Sequence, residues 1–163
     1  MIETLITVEE YLKGDFRPDV DYVDGHIEER HDAEKSHGKL ILRLVRLLDA
    51  MEGVFAFLET RLNVRPGLYR VPDVCAYLDH EPDEEVFTRP PFLCIEVLSP
   101  EDRISRVKRV VKDYFEMGVP NVWIVDPQGE ISICDANGGW TAAPSEFGTA
   151  DGRIVTSYAQ VFG

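Results

Sequence analysis

Basic residues are scarce in this chain: 17 lysines and arginines stand against 30 aspartates and glutamates, a formal net charge of -13 with a pI near 4.6. That balance argues against a protein that grips nucleic acid over its whole surface, because affinity for phosphate backbones comes largely from released counterions. Cysteine is sparse as well. Cys75, Cys94 and Cys134 form no C-x-x-C pair, and two of them lie in apolar runs where a thiol behaves as a small hydrophobe, so a reducing cytoplasm fits best. Long hydrophobic runs are missing: the greasiest stretch, Leu40 to Leu48, is interrupted by Arg43 and Arg46 well short of a spanning length. The opening residues Met1 to Leu5 carry no basic flank of the kind that leads an export signal. A soluble, unexported protein with no membrane partner is therefore expected. Repeats and low-complexity linkers are absent too, and no organic cofactor is expected. What remains is 163 residues with 44% hydrophobic content, enough for one domain, 1–163, that buries roughly two-thirds of its unfolded surface.

The charge is unevenly spread. Acids crowd Asp79 to Glu85, whereas Arg103, Arg106, Lys108, Arg109 and Lys112 fall in one short segment, so a local basic surface can persist within an acidic total.

Patterning gives an order of elements. Thr7 and Glu10 have the form of a capping box for a short helix that Gly14 ends. After a turn at Pro18, Val20 to Glu29 reads as a hairpin with Asp24-Gly25 as its tight turn. Asp32 is placed to cap a helix whose apolar positions Leu40, Ile41, Leu44, Leu47, Leu48 and Met51 recur every three or four residues, up to Gly53. Strands are expected near Val54 to Val64, Leu68 to Leu78 and Phe92 to Leu98. Ser99 and Pro100 have the form of a helix start, and the spacing of Ile104, Val107, Val111, Tyr114 and Gly118 predicts the buried stripe of a helix running to about Met117. Asn121 to Pro127 reads as a buried strand, and the tail holds a short strand at Ile131 to Cys134, a turn at Asn137 to Gly139 and a last amphipathic piece through Tyr158, Val161 and Phe162.

Two acids interrupt strands that are otherwise apolar: Asp73 within Leu68 to Leu78, and Glu96 within Phe92 to Leu98. Stripping water from an unpaired carboxylate costs several kcal/mol at least, so a chain that places one there normally supplies a cation, a basic partner or a shifted pKa. By strand alternation Asp73 shares a face with Val71 and Cys75, and Glu96 with Cys94 and Leu98, so on neighbouring strands the acids can meet. Hard oxygen ligands with room for water suit Mg2+ or Mn2+. The plainer alternative is that each acid caps a strand end or pairs with an arginine at the rim. Around this pair, Arg106 and Arg103 flank one edge of the second long helix and Lys108 borders the other, with Arg109 and Lys112 pointing outward; solvated charge explains such a run equally well. Glu34 and His37, at the opening of the first long helix, are further candidates, against a favourable first-turn anion and a packed imidazole. Asp21 in the hairpin is a weaker one. Trp123 and Trp140 read as core and edge packing rather than a base-stacking platform.

Four stretches of this sequence resemble the Uma-two family of restriction-endonuclease-like proteins, a branch of the PD-(D/E)XK nuclease superfamily. They are Tyr22 to Gly25, Glu34 to His37, Arg70 to Ala76, and Phe92 through Arg103 and Tyr114 to Pro127. The resemblance covers most of Thr7 to Pro127 and implies a restriction-endonuclease-like α/β (α+β) core: a central mixed sheet flanked by helices, with an N-terminal hairpin and C-terminal strand additions. It implies that Pro72-Asp73 and Glu96 bind the catalytic divalent ion, with Glu34 or His37 completing the site. The superfamily lysine two residues after Glu96 is here Leu98, and the helix position where some relatives carry it instead is Val110. Arg106, one turn earlier, can stabilise phosphate charge but stays protonated and cannot act as a base.

The expectation is a metal-dependent endonuclease acting on DNA, with Asp73 and Glu96 on Mg2+ or Mn2+ and Arg106 or Lys108 steadying developing charge. The rivals are a nuclease-fold protein that binds nucleic acid or protein without cutting, and a hydrolase of smaller phosphoesters. A homodimer is also expected, since the hairpin and tail offer strands in need of cover.

Overall fold

The computed structural model describes residues 4–17, 19–30 and 34–163. It opens with α1 (Val8–Lys13), whose capping box forms as the sequence predicts: Thr7 Oγ1 accepts from the Glu10 amide and Glu10 Oε2 accepts from the Thr7 amide. The hairpin follows as β1 (Asp21–Val23) and β2 (His26–Glu28). Its turn has φ of 47° at Asp24 and 96° at Gly25, the left-handed pair that matches strand twist in a two-residue hairpin. The remaining elements are α2 (Lys35–Asp49), β3 (Val54–Leu58), β4 (Leu62–Arg65), β5 (Leu68–Arg70), β6 (Val74–Leu78), β7 (Leu93–Val97), α3 (Ile104–Met117), β8 (Asn121–Asp126), β9 (Glu130–Cys134), β10 (Trp140–Ala142), β11 (Glu146–Gly148), β12 (Val155–Ser157) and α4 (Tyr158–Phe162).

Six strands form the central sheet in the order β10-β9-β8-β7-β6-β3. Only β7 and β8 run parallel, with α3 as the crossover between them, so the sheet is mixed as expected. Alternation along the strands sends side chains to two helices. Val74, Ala76, Ile95 and Val97 pack with Leu40, Ile41, Leu44 and Leu48 of α2, whereas Cys75, Tyr77, Cys94 and Val122 pack with Val107, Val110, Val111 and Tyr114 of α3. A smaller antiparallel sheet, β2-β1-β5-β4, packs Tyr22 and Tyr69 against Tyr11 of α1. The β11-β12 ribbon sets Phe147 edge-on to Trp123.

Several expectations need correction. The run 54–64 is two strands in two different sheets, parted by a turn with Glu59 at φ 45°. The run 68–78 is split as well: β5 belongs to the small sheet and β6 to the large one, so Asp73 stands at the mouth of β6 and not in mid-strand. Ser99 and Pro100 do not start α3. Ser99 and Asp102 close a turn on each other, and the helix begins at Ile104, which is half exposed, while Val110 fills the buried stripe. Asp32, the expected cap of α2, and the turn at Pro18 lie outside the described residues; the cap position is Glu34, whose side chain makes no capping bond.

The small sheet is joined to α3 by charge. Arg70, almost wholly buried, donates from Nη1 to Asp21 (3.0 Å) and Glu28 (2.7 Å), and its Nη2 lies 2.7 Å from Asp113 on α3. Asp21 also accepts from the Val71 amide at 2.9 Å and from Arg106 Nη2 at 2.7 Å. Asp21, a hairpin acid, is therefore no solvated one: it is the buried hub where β1, β5 and α3 meet. Removing one partner of a buried pair leaves the other charge uncompensated, at about 3–5 kcal/mol. Arg70→Met is expected to lose stability in that range by urea denaturation; a loss under about 1 kcal/mol would show that the hub does not hold the small sheet to α3.

Candidate active site

The register of β6 on β7 sets Val74 opposite Ile95 and Cys75 opposite Cys94, so one step further along the same antiparallel ladder Asp73 faces Glu96. Alternation gives both acids the α3 side of the sheet. Asp73 is buried and tied at both oxygens: Oδ2 accepts from the Val97 amide at 2.7 Å and Oδ1 accepts from Arg30 Nη2 at 2.6 Å. His37 Nε2, from α2, lies 3.5 Å from Oδ2. Glu96 is half-buried, and its Oε1 accepts from the Tyr114 hydroxyl of α3 at 2.5 Å. A cavity of about 20 Å³ separates these groups, walled by Arg30, His37, Asp73, Glu96, Arg106 and Val110 among others. That volume is close to the room one water or one bare ion needs.

The two acids are held unequally. Burial on its own raises Asp73, yet the hydrogen bond with His37, the Arg30 guanidinium and the Val97 amide outweigh it, and the carboxyl sits below its ordinary range. Burial and the neighbouring Asp73 charge push Glu96 well above the ordinary glutamate range, against the smaller pull of Arg30 and Tyr114. Like-charged carboxylates this close resolve their repulsion with a proton on one of them or a cation between them. Among the described residues no group of three or more His, Cys, Asp or Glu side chains is gathered as a metal cage. A two-carboxylate site still fits a hard divalent ion, since Mg2+ is commonly held by one or two carboxylates with water and phosphate oxygens as its other ligands. Asp73 Oδ1 would have to exchange the guanidinium for the ion.

Other residues singled out in the sequence divide between this cavity and elsewhere. His37 and Arg106 line it. Arg106 is tethered at the same time by Asp21, with its Nε 3.6 Å from Glu28. Lys108 is on a different side of α3, exposed, with Nζ 5.8 Å from the centre of the Trp140 ring. Glu34 is an exposed residue at the start of α2 and borders a neighbouring pocket with Ser36, Leu98 and Asp102. Neither Lys108 nor Glu34 lines the Asp73 and Glu96 cavity, because α3 turns Lys108 away and Glu34 precedes His37 by nearly a full turn. Trp123 is core, as expected, whereas Trp140 on the edge strand walls a pocket with Phe115.

Arg30 and Tyr114 complete the site without having been singled out for it. Arg30 follows the hairpin in Glu28-Glu29-Arg30, where nothing local sets it apart from a solvated charge; its partner is 43 residues away. Tyr114 was visible only as a member of an apolar stripe, yet a buried phenol needs an acceptor, and Glu96 across the core is that acceptor. Leu98 and Val110, the two positions where a lysine is absent, both wall the cavity.

No helix among the described residues is long and apolar enough to cross a membrane. No curated protein matches this chain. A solved structure from Anabaena variabilis, described as "a putative nuclease belonging to DUF820", is 20% identical and superposes with a TM-score of 0.82 over 96% of this chain and 97% of the other. At that identity the likeness establishes the fold, a mixed sheet between helices. The sequence itself carries the kinship: residues 8–153 match the Uma2 model, described as "Putative restriction endonuclease", and the chain belongs to that family.

Proposed function

We propose that this protein is a metal-dependent endonuclease that hydrolyses DNA phosphodiester bonds, with Asp73 and Glu96 as ligands of Mg2+ or Mn2+. The observation that carries this reading is the meeting of two carboxylates across the β6-β7 register over a cavity of ionic size, one of them raised by burial and by the charge of the other. A bound divalent ion supplies a Lewis acid for the scissile phosphate and a lowered pKa for an attacking water. The chain's own groups hold the geometry. The Val97 amide fixes Asp73, and the Tyr114 hydroxyl fixes Glu96. Arg30 and Arg106 present positive charge to a phosphate arriving at the cavity; both stay protonated, so neither is a base. His37, buried beside Asp73, lines the same cavity with its Nε2 3.5 Å from Oδ2.

A second reading is favoured by Leu98 and Val110, which put apolar walls where a lysine is looked for: a nuclease-fold protein that binds without cutting. Purified protein on plasmid DNA with Mn2+ separates the two. Cleavage is expected, and Asp73→Ala or Glu96→Ala should reduce it by more than the roughly 10–100-fold that outer-shell substitutions cost at metal sites. Full activity in both variants would remove the mechanism, and Mn2+ binding with no cleavage of any DNA would establish the second reading.

The strain between the two acids gives a separate readout. In EDTA, Glu96→Gln removes a carboxyl pressed against Asp73 and keeps an oxygen for Tyr114, so its melting temperature is expected to rise by about 2–4 °C, the shift that ~1 kcal/mol produces in a domain of this size. Wild-type protein should gain thermal stability on adding Mn2+, and Glu96→Gln should not. A variant less stable than wild type in EDTA would show that Glu96 is a structural acid.

A further inference from the structure

The acids of this chain neutralise its cations selectively. On α3, the segment with the densest positive charge, Arg106 and Arg109 are both held by Glu28, Lys112 lies 3.7 Å from Glu116, and Lys108 rests over Trp140. Most of the other cations are paired as well: Arg61 with Asp19, Arg65 with Asp24 and Arg153 with Asp79. Arg89, Arg103 and Lys108 have no carboxylate partner among the described residues either, but the exposed cations of α2 are the ones that form a group. Lys35, Lys39, Arg43 and Arg46 have no carboxylate partner among the described residues, and no acid occurs between Lys35 and Arg46.

These four side chains fall on one face. At 100° per residue they span an arc of about 80°, opposite the buried Leu40, Ile41, Leu44 and Leu48. From Lys35 to Arg46 the helix rises about 16 Å, the axial length of roughly five phosphates of one strand. The face also leads to the acids. Lys39 and Arg43 border an open pocket of about 460 Å³ with Ser36 and Gln128; Ser36 and Gln128 border the next, about 360 Å³, with Leu98 and Asp102; and Leu98 and Asp102 wall the Asp73 and Glu96 cavity. Arg43 is anchored beside this path by donating Nη1 to the Phe162 carbonyl.

We propose that the exposed face of α2 is the rail on which the phosphate backbone of a DNA substrate lies, bringing one strand to the Asp73 and Glu96 cavity; this rests on the nuclease reading above. It accounts for how a protein of charge -13 meets a polyanion: the largest group of cations without a carboxylate partner among the described residues is gathered on one helix face next to the chemistry. Glu34, Asp102 and Asp126, which border the middle pocket, repel phosphate and confine the backbone to the α2 side.

Binding of a fluorescent duplex by the full chain, measured by anisotropy between about 50 and 200 mM salt, tests the rail. The Lys39→Glu/Arg43→Glu variant should lose at least tenfold in affinity, and the slope of log K against log salt should shrink by about 2. Lys39→Gln/Arg43→Gln should fall between that variant and wild type. Arg109→Gln/Lys112→Gln, whose cations are already neutralised, should change affinity less than twofold. Circular dichroism and an unchanged Mn2+-induced thermal shift in the α2 variants would show that fold and metal site persist. The rail is overturned if the α2 variants bind like wild type, if the α3 variant loses as much, or if wild type binds anionic vesicles but no DNA. In the last case, Mn2+-dependent hydrolysis of a small phosphodiester by the same sample would leave the metal-site reading standing.

Discussion

A carboxylate inside a sheet must be compensated, and that constraint organises the centre of this molecule. Asp21 is compensated by Arg70 and Arg106, Asp73 by Arg30, and each of these pairs ties together elements distant in sequence. Glu96 is the exception. Its partners are a tyrosine hydroxyl and, across the ladder, another acid, and the pull of Arg30 is outweighed by burial and the Asp73 charge. Cores tolerate such a group at a cost in stability, and the places where a chain accepts that cost are commonly the places where it binds something.

The sequence showed much of this and missed a definable part. Strand alternation and an apolar run with one acid in it located Asp73 and Glu96, because an ionisable residue among Val, Leu and Ile is visible without any tertiary information. Capping at Thr7 and the Asp24-Gly25 turn were legible for the same reason: their physics is local. The split of 68–78 between two sheets was not, since a continuous apolar run reads alike whether it stays in one sheet or crosses to another at Pro72. Arg30 and Arg70 were invisible because what makes them special is a partner more than 40 residues away. The start of α3 was placed too early: serine followed by proline fits a helix start and an isolated turn equally, and Asp102 closed the turn.

Charge distribution needed the structure most. A run of basic residues on α3 looks from the sequence like the positive surface of the protein, and the apolar-periodic helix before it looks like core. Folding reverses their electrostatic weight. Glu28 and Asp21 arrive from the hairpin and consume Arg106 and Arg109, whereas α2 turns its cations to the opposite side from its core stripe, where no acid among the described residues pairs with them. Net charge and local density along the chain are both poor guides to a surface when the neutralising partners come from other elements.

Arg30 links these themes. It holds Asp73 Oδ1 at 2.6 Å, one of the oxygens an ion shared with Glu96 would use, and so it compensates the aspartate together with His37 and the Val97 amide. On the proposed reading that makes ion and phosphate mutually favourable ligands. An ion held by Oδ1 would leave the Arg30 guanidinium at the cavity wall available as a bidentate partner for a phosphate, and a phosphate held by that guanidinium would leave Asp73 in need of an ion. Reciprocity is required by linkage: whatever factor the phosphate adds to ion affinity, the ion adds to phosphate affinity. On that reading a site with two carboxylates and, among the described residues, no grouped third acid, histidine or cysteine would gain ion affinity when its substrate is present.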